Sequence, residues 1–578
     1  MSARRDGLNL APPIFAMRLA LLLNAAILTL SAAAHADVPL APRHISDDQA
    51  ILANRPQFLH PPPIVPIRLK RLTLPPVSLL TLERSPEIQL PSIGFSYDVP
   101  THPERVLREP RVAYRLLATA ENVALVGYGF ASYWIFAVEN QADWELSWSE
   151  PSFREKLWTF QAVRMDTNSF ETNTIKHPAA GAYTYLAARG SRLGVGESFA
   201  FALASSVFWE FFAEYREKVS INDLVFTPLG GPAIGEPLHQ LGIFFERSEE
   251  NFLTRLLATG FSPFRFLNRY FLGWVPMGAS KFDKWGFPAT IWHKFDLFAG
   301  LATDIDANVL RRSRGYVGAQ TEIIDVPEYD KPGVIRHSLR PGTITNMRLA
   351  LLVDDRGIHQ SDFMSRTILG GVYEQSIESD NEHGRLGHAL FAGPATAFQY
   401  VAHTFDGRVD DKLGIVNVLG GVVDASIYRG KLKARFGIDA YADFAAVNSM
   451  AIDDYIDRYG YDGFKSVLVE RQYYFALGAT IRPTATFSYR GIELGGQVTH
   501  DFLESIEGLD RYQERLKNDL HLSDRRITQR YWLSYAFPGN DTLQARLELE
   551  RQERSGVMGN VAVSRQSLNL RGYVALRF

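Results

Sequence analysis

The feature that most constrains this chain is a regular alternation of apolar and polar side chains in its C-terminal half. It is clearest in residues 431–444 and returns in residues 492–498 and 543–550. A period of two residues is that of a β-strand with one apolar and one polar face. In 431–444 the apolar set is Leu432, Ala434, Phe436, Ile438, Ala440, Ala442 and Phe444, and the intervening charged residues are Lys431, Lys433, Arg435, Asp439 and Asp443.

Alternation alone fits two folds, a soluble β-sandwich and a transmembrane β-barrel with an apolar outer face. The connections favour the barrel, because short turns alternate with long ones as periplasmic turns alternate with external loops. Candidate strands number about twelve, near residues 290, 315, 342, 362, 388, 412, 431, 470, 491, 526, 541 and 566. The short turns are Arg429–Gly430, Arg490–Gly491 and Pro538–Asn540, and the long connections are Asn448–Lys465, Leu503–Asp524 and Arg551–Asn560.

Two supposed periplasmic turns, Pro327–Pro341 and Ser379–Gly387, are longer than this rule expects. Following the alternation back from a periplasmic C-terminus places residue 290 on the periplasmic side. The last strand ends on Phe578, with Leu576 and Val574 on the same face. A terminal aromatic residue on such a strand resembles the recognition signal of the barrel assembly machinery, which is therefore an expected partner.

The N-terminus has the pattern of a secretory signal peptide. Arg4 and Arg5 precede an apolar run, Leu19–Leu30, and small residues end at Ala36, as in leaders cleaved after an Ala-x-Ala site. We assign residues 1–36 to the signal peptide. Residues 37–110 are dense in proline and are predicted to form an extended linker. Export and a barrel together predict a Gram-negative outer-membrane protein.

Composition excludes several classes of function. The formal net charge is −3, so nucleic acid is not an expected partner. The chain has no cysteine, which rules out disulfides and a thiol nucleophile. After residue 36 no apolar run reaches the roughly 18–20 residues of a transmembrane helix, so a membrane crossing must use strands.

Residues 111–285 are predicted to form a helical domain, because their apolar residues recur at helical spacing. The segment Ser198–Phe212 is almost wholly apolar but is too short to span a bilayer, which favours a buried core helix. The predicted fold class is thus α+β: a signal peptide, a proline-rich linker, a periplasmic helical domain and, at 286–578, an antiparallel transmembrane β-barrel of about twelve strands.

The helical domain carries a series of short motifs in a fixed order. They are Asn173-Thr174-Ile175-Lys176-His177-Pro178-Ala179-Ala180-Gly181-Ala182-Tyr183, then Trp209-Glu210, then Ser220-Ile221-Asn222-Asp223-Leu224, then Thr227-Pro228-Leu229-Gly230-Gly231. This order resembles domain-of-unknown-function family 3943, with its His-Pro-x-x-Gly-x-Tyr, Trp-Glu and Ser-x-Asn-Asp-Leu elements. The resemblance covers roughly residues 160–245. It implies an outer-membrane protein and brings no known activity.

Four residues of this domain are candidate catalytic groups: His177, Glu210, Glu214 and Asp223. His177 precedes a proline, which holds it extended, and its ring can act as a general base beside a carboxylate such as Asp223 or Glu210. A purely structural histidine–carboxylate bond is the alternative. Glu210 and Glu214 lie one helical turn apart, so they either pair with Arg216 or Lys218 or are protonated through raised pKa values.

A metal site is a second possibility for the same region. Glu236 and His239 have the Glu-x-x-His spacing of carboxylate-bridged metal bundles, and His177, Glu210 and Glu214 offer further ligands. His239 also fits an ordinary helix-surface or capped histidine, so the sequence does not determine whether a metal binds. It predicts no organic cofactor, because no phosphate-binding or dinucleotide motif occurs.

Two functions remain open. The first is a non-enzymatic barrel whose periplasmic helical domain plugs or caps the inner mouth and serves gated transport or envelope organisation. The second is an enzyme that modifies outer-membrane lipid or lipopolysaccharide with the four candidate residues. Both predict contact with outer-membrane lipid and lipopolysaccharide.

Overall fold

The computed structural model describes residues 114–136, 144–274, 278–279, 281–306, 309–355, 357–380, 384–405, 409–460, 468, 471–506, 521–538 and 542–578. The predicted signal peptide and proline-rich linker lie outside the described residues. The described chain consists of a helical region followed by a β-barrel, which confirms the predicted α+β class.

Eight helices and a small parallel strand pair, β1 and β2, precede the barrel in the described chain. The helices are α1 (Arg115–Phe136), α2 (Glu150–Leu157), α3 (His177–Gly190), α4 (Val195–Phe208), α5 (Asp223–Gly230), α6 (Glu236–Arg247), α7 (Phe252–Phe261) and α8 (Pro263–Leu272); β1 is Val163–Arg164 and β2 is Val219–Ser220. Single π-helical turns precede α3 (Thr172–Lys176), follow α4 (Trp209–Ala213) and join α5 to α6 (Gly231–Gly235). None of the described helices combines the length and the apolarity needed to cross a bilayer.

The barrel is a closed antiparallel sheet of twelve strands, as predicted. Its strands are β3 (Trp292–Asp306), β4 (Val309–Ile324), β6 (Ile344–Asp354), β7 (Gly357–Ile368), β9 (Gly384–Phe405), β10 (Val409–Gly430), β11 (Leu432–Asn448), β12 (Tyr473–Tyr489), β13 (Ile492–Ser505), β14 (Leu522–Ala536), β15 (Leu543–Met558) and β16 (Val561–Arg577). The barrel closes where β16 pairs with β3. We call the end with Trp292 and Phe578 the C-terminal rim, and the end with Tyr473 the distal rim.

Two further strands join the sheet. The first lies within Pro327–Pro341 and explains the length of that connection, whereas the second ends at the start of Ser379–Gly387. Strand β5 (Gly333–Leu339) and strand β8 (Gly371–Asp380) pair with each other, and β8 also pairs with the first part of β9. The second part of β9 pairs with β7 instead. Long β9 therefore has two partners in succession along one edge.

Ion pairs and hydrogen bonds that cross the barrel identify its lumen. Arg366 of β7 binds Asp439 of β11 at 3.0 Å, and Arg554 of β15 binds Asp411 of β10 at 3.1 Å. These strands are not neighbours, so the side chains meet across the interior. Arg554 and Asp411 are fully buried, which means that the lumen is packed with side chains at this level.

Connecting segments close the lumen further at each end. On the distal rim, Met450 donates its backbone N–H to Asp524, and Ala451, at the start of helix α9 (Ile452–Tyr459), packs on inward-facing Leu413. On the C-terminal rim, Asp330 accepts hydrogen bonds from inward-facing Tyr428 and Lys433. The chain thus supplies its own plugs.

The helical domain packs on the outside of the barrel. In β11, Phe436 and Ile438 point outward and are exposed, whereas Phe444, on the same face, is buried under Phe226 of α5, with ring centroids 5.3 Å apart. Lys412, which neighbours inward-facing Asp411 and so points outward, binds Glu171 at 2.6 Å. The expectation that this domain plugs or caps the lumen is therefore wrong in geometry, because its apolar face matches the apolar outer wall rather than the charged interior.

The domain extends along this wall from one rim to the other. Near the C-terminal rim, Phe244 and Phe245 of α6 pack on Phe295 and Ile323. Near the distal rim, Phe170 packs on Tyr473. It is therefore not confined to the side of the barrel on which β3 begins.

Candidate functional site

The family motifs meet where α3 crosses α5. A Cβ atom at Gly181 would lie 1.5 Å from the carbonyl oxygen of Thr227, and one at Gly230 would lie 2.2 Å from that of Pro178. Only glycine permits this separation of two helix backbones. The His-Pro-x-x-Gly and Thr-Pro-x-Gly-Gly motifs are therefore the two sides of one close helix contact, and they fix His177 at the start of α3 next to Asp223 at the start of α5. The prediction that Pro178 holds His177 extended is wrong, because the His177 backbone is helical (φ −64°, ψ −50°) and Pro178 occupies the first turn, where a helix tolerates proline.

A short parallel strand pair adds a third residue to the site, the acidic Asp166. Val163 pairs with Val219 and Arg164 with Ser220, so the residues that follow each strand also lie side by side. Asp166 donates its backbone N–H to Asn222 Oδ1 at 3.0 Å. Asp166 had no motif to mark it, and only the pairing of β1 with β2 brings it to the site.

Asp166, His177 and Asp223 form one compact group, which we call the His177 cluster. Each residue offers a ligand atom, and the three atoms lie within 4.8 Å of one another. The His177 Nε2 and Asp223 Oδ1 atoms are 3.4 Å apart. Asp223 is buried, whereas the His177 side chain keeps 17% of its surface exposed, so the histidine is the member of the pair that reaches the surface.

Three asparagines surround the cluster. Asp166 accepts hydrogen bonds from the amides of Asn168, Asn173 and Asn222 at 2.5, 2.6 and 3.1 Å. The Asn222 amide also donates to Asp223 Oδ1 at 2.9 Å, so it links the two carboxylates. Amide donors orient carboxylates without neutralising them.

Several polar atoms of this site are buried without a hydrogen-bond partner. Among the described residues these include His177 Nε2, Asp223 Oδ2 and Asn173 Oδ1. Such atoms cost free energy when they have no partner. Unsatisfied groups of this kind mark a place where a substrate, an ion or water completes the site.

Burial shifts the pKa values of the cluster. It lowers the pKa of His177 to about 4, so the imidazole is neutral at pH 7 and has a free nitrogen lone pair. Burial, followed by the charges of Asp166 and Glu210, raises the pKa of Asp223 well above its usual range. The pair therefore combines a neutral base with a carboxyl group that holds a proton readily.

Glu210 and Glu214 lie outside the cluster, although both were candidate residues. Glu210 is buried and accepts the backbone N–H of Ser220 at 2.9 Å. Burial raises its pKa to about 8, and burial also raises that of Glu214. The predicted partner Lys218 binds Glu145 instead. Protonation, the second alternative drawn from the sequence, is thus the one that these shifts favour.

The Glu236–His239 pair is structural in the described chain. Glu236 accepts hydrogen bonds from the Tyr185 hydroxyl and from the Arg189 guanidinium, both at 2.7 Å. His239 faces the Ser262 hydroxyl at 3.3 Å. Because Arg189 already neutralises Glu236, this spacing does not provide the metal ligands that the sequence suggested.

The site lies against the outer wall of the barrel near the distal rim. Tyr473, the first residue of β12, accepts a hydrogen bond from Asn173 at 2.8 Å and donates one to the carbonyl of Asn168 at 2.7 Å. A barrel residue therefore holds the two asparagines that orient Asp166. The barrel and the helical domain build this site together.

The comparisons with known proteins agree with the motifs. Residues 162–264 match the family described as a domain of unknown function (DUF3943), which confirms the predicted resemblance. No curated protein matches the chain.

Solved structures similar to this chain are outer-membrane proteins. They include OmpT of Vibrio cholerae (6% identity, TM-score 0.21, 50% of this chain and 97% of that chain) and the outer membrane channel DcaP of Acinetobacter baumannii (9%, 0.20, 52% and 100%). An anion-selective porin from Comamonas acidovorans is also similar (10%, 0.13, 50% and 99%).

Proposed function

We propose that this chain, which carries a DUF3943 domain at residues 162–264 on the outer wall of a transmembrane barrel, is an outer-membrane enzyme that modifies a membrane lipid. The barrel anchors the helical domain, and the His177 cluster is the reactive centre. The observation that carries the proposal is the buried group of His177, Asp166 and Asp223, whose unpartnered atoms lie on the lipid side of the barrel.

The interior of the barrel supports this choice over transport. Arg571 binds Glu548 and Glu550 across neighbouring strands, and Arg530 joins Glu550 to Asp362 on the far side. Arg571, Glu548 and Glu550 are buried, and Arg530 and Asp362 are half-buried. A passing solute would therefore have to break charge pairs at this level. We therefore do not assign gated transport to this barrel.

The outer surface of the helical domain supports a lipid substrate. Large apolar side chains are exposed on several of its helices, among them Ile135 on α1, Phe208 on α4 and Phe271 on α8. Exposed apolar surface of this extent is typical of contact with lipid or with another protein. Because the domain to which these helices belong packs on the membrane-facing wall, acyl chains are the nearest apolar partner.

The position of the cluster favours lipid of the outer leaflet, which is lipopolysaccharide in Gram-negative bacteria. Outer-membrane barrels have periplasmic termini and short periplasmic turns, so the C-terminal rim faces the periplasm under this proposal. Tyr473 and the cluster then lie near the external rim. Under this proposal, part of the helical domain lies at membrane depth beside the barrel and not in the periplasm.

The residues have separate roles in this proposal. Neutral His177, whose side chain is partly exposed, accepts a proton from the attacking group at a ring nitrogen. Asp223, whose Oδ1 atom lies 3.4 Å from Nε2, orients the imidazole. Asp166, held by three amides, and Asn222, which links both carboxylates, are positioning residues.

The test is a comparison of outer-membrane lipids by mass spectrometry. Cells lacking the protein are complemented with the wild-type chain, with His177→Asn, with Asp223→Asn, or with the control His337→Asn on strand β5. We expect the wild type and the control to produce the same change in a lipid species, and the two site variants to lose at least nine-tenths of it. Unchanged lipids in all four strains, with folded barrels, would contradict an enzymatic role.

Envelope organisation is the second candidate function. It is favoured by the complete hydrogen bonding of Asp166, which is typical of a structural polar network. In that case the helical domain is a docking element, and Asp223→Asn alters envelope integrity without a change in any lipid species. The same four strains, tested for detergent sensitivity, separate the two functions.

A further inference from the structure

The charge balance of the His177 cluster is unusual for a buried site. Asp166 and Asp223 are both buried, and one amide, that of Asn222, donates to both. In the described part of the chain, neither carboxylate forms an ion pair with a lysine or an arginine. Buried carboxylates are normally paired with a cation, bound to a metal or protonated.

Unpartnered polar atoms belong to His177 and Asp223 and to Asn173, whose amide binds Asp166. His177 Nε2, Asp223 Oδ2 and Asn173 Oδ1 have no hydrogen-bond partner among the described residues. Asp223 is 1% exposed and Asn173 is fully buried. An imidazole nitrogen, a carboxylate oxygen and an amide oxygen are all groups that can bind a metal cation. A positively charged ion satisfies three acceptors at once, whereas a neutral donor satisfies one or two.

We propose that Asp166, His177 and Asp223 bind one divalent transition-metal ion, with the Asn173 carbonyl as a further donor. The three ligand atoms within 4.8 Å of one another can surround a single ion at ordinary bond lengths of about 2.0–2.2 Å. One imidazole nitrogen with carboxylate oxygens suits zinc, iron or manganese, whereas an all-oxygen site would favour magnesium or calcium.

The hydrogen bonds around the proposed ligands resemble those that orient the ligands in metal sites. Metal-binding carboxylates are usually held by a second set of hydrogen bonds that fixes their orientation. Asn168 and Asn222 provide these bonds to Asp166, and Tyr473 in turn holds Asn173. The barrel wall therefore contributes to the geometry of the ion site.

The inference deepens the proposed function and rests on it only for the use of the ion. In a catalytic site, a bound ion of this kind activates water or polarises a carbonyl or phosphoryl oxygen. With the ion bound His177 is a ligand, and the role of base proposed for it applies to the site without the ion. Binding of the ion can be measured without any knowledge of the lipid substrate.

The experiment is a zinc titration of the full-length protein in mild detergent after treatment with a chelator. We expect one Zn²⁺ per chain in the wild type and in the control His337→Ala. His177→Ala and Asp223→Asn are each expected to weaken binding at least 100-fold. No saturable binding by the wild type, or equal binding by all four proteins, would overturn the proposal.

A second measurement distinguishes the loss of a metal ligand from the misfolding of a variant. Co²⁺ replaces zinc and gives visible absorption bands that report its ligands. We expect Asp166→Glu, which keeps the carboxylate, to bind Co²⁺ with a shifted spectrum, and Asp223→Asn to show only the spectrum of the aqueous ion. Identical protein-bound spectra in the wild type and in both variants would overturn the assignment of these ligands.

The lipid comparison distinguishes failure of this inference from failure of the proposed function. If the lipid change depends on His177 and the wild type binds no metal, the metal site is overturned and the enzymatic function stands. If zinc binds as expected and no lipid changes, the metal site stands and the enzymatic function fails.

Discussion

At the scale of single residues, the sequence indicated two of the three residues of the His177 cluster. His177 and Asp223 were predicted as a pair from their motifs, and the structure brings them to 3.4 Å. Asp166 could not be predicted, because only the pairing of β1 with β2, two residues each, places it beside Asn222. Glu236 has metal-ligand spacing in the sequence, but Arg189, 47 positions earlier, occupies its carboxylate.

Glu210 provides a prediction about pH. Its pKa is raised to about 8 in the folded domain, so its contribution to folding stability is complete below the ordinary value of 4.5 and is lost as pH rises through 8. The lowered pKa of His177 makes folding stability depend on pH only below pH 6.5, the ordinary value for histidine. His177 therefore adds nothing to the pH dependence above that value. Between pH 6.5 and 8.5 we expect the wild-type domain to lose roughly 1–2 kcal/mol.

The variant Glu210→Gln cannot ionise and should lose less stability across the same interval. Part of the slope should persist, because Asp223 and Glu214 also have raised pKa values. Hydrogen exchange of the helical domain in detergent, compared at the two pH values, measures the difference. Equal slopes in the wild type and the variant would show that Glu210 is ionised throughout.

At the scale of elements, the barrel strands were easier to predict than the additional strands and turns outside the barrel. The twelve predicted strand positions correspond to the twelve barrel strands, because alternation depends on local sequence alone. Strand β5 was indicated only by the unexpected length of Pro327–Pro341, and β8 was not predicted. The π-helical turn at Trp209–Ala213 was not predicted, since it interrupts an otherwise continuous apolar helix.

The crossing of α3 and α5 provides a prediction with a matched control. Gly181→Ala places a methyl group against the Thr227 carbonyl, and we expect a loss of about 3 kcal/mol. Gly196→Ala, on exposed α4, meets no atom within 4 Å and should stabilise the helix by up to about 1 kcal/mol. Thermal unfolding followed by limited proteolysis measures both. Equal stability of the two variants would contradict the close helix contact.

At the scale of the whole molecule, the sequence indicated the two parts but not their arrangement. The apolar surface of the helical domain and the apolar outer face of the barrel were both recognisable. Which of them cover each other depends on contacts such as Phe226 with Phe444, 218 positions apart along the chain. The plug that was predicted from barrel size comes instead from the connections around Asp330 and Met450.

The filled lumen predicts that the purified protein does not conduct ions. In planar lipid bilayers we expect no stable conductance steps from the wild type. Arg554→Ala removes the side chain that binds Asp411 and Asp524, and should produce small, irregular openings because water enters the space. Stable porin-like steps from the wild type would contradict a closed barrel and restore transport as a function.

The central claim is that the helical domain lies on the lipid side of the barrel wall, and spin-label accessibility tests it most directly. Because the natural chain has no cysteine, single labels can be placed at Phe208 on α4, at outward-facing Leu301 as a lipid control, and at Lys431 in a turn as a water control. In proteoliposomes we predict that the Phe208 label is reached by oxygen and shielded from a water-soluble nickel complex, like the label at Leu301. A Phe208 label that behaves like the one at Lys431 would contradict the account.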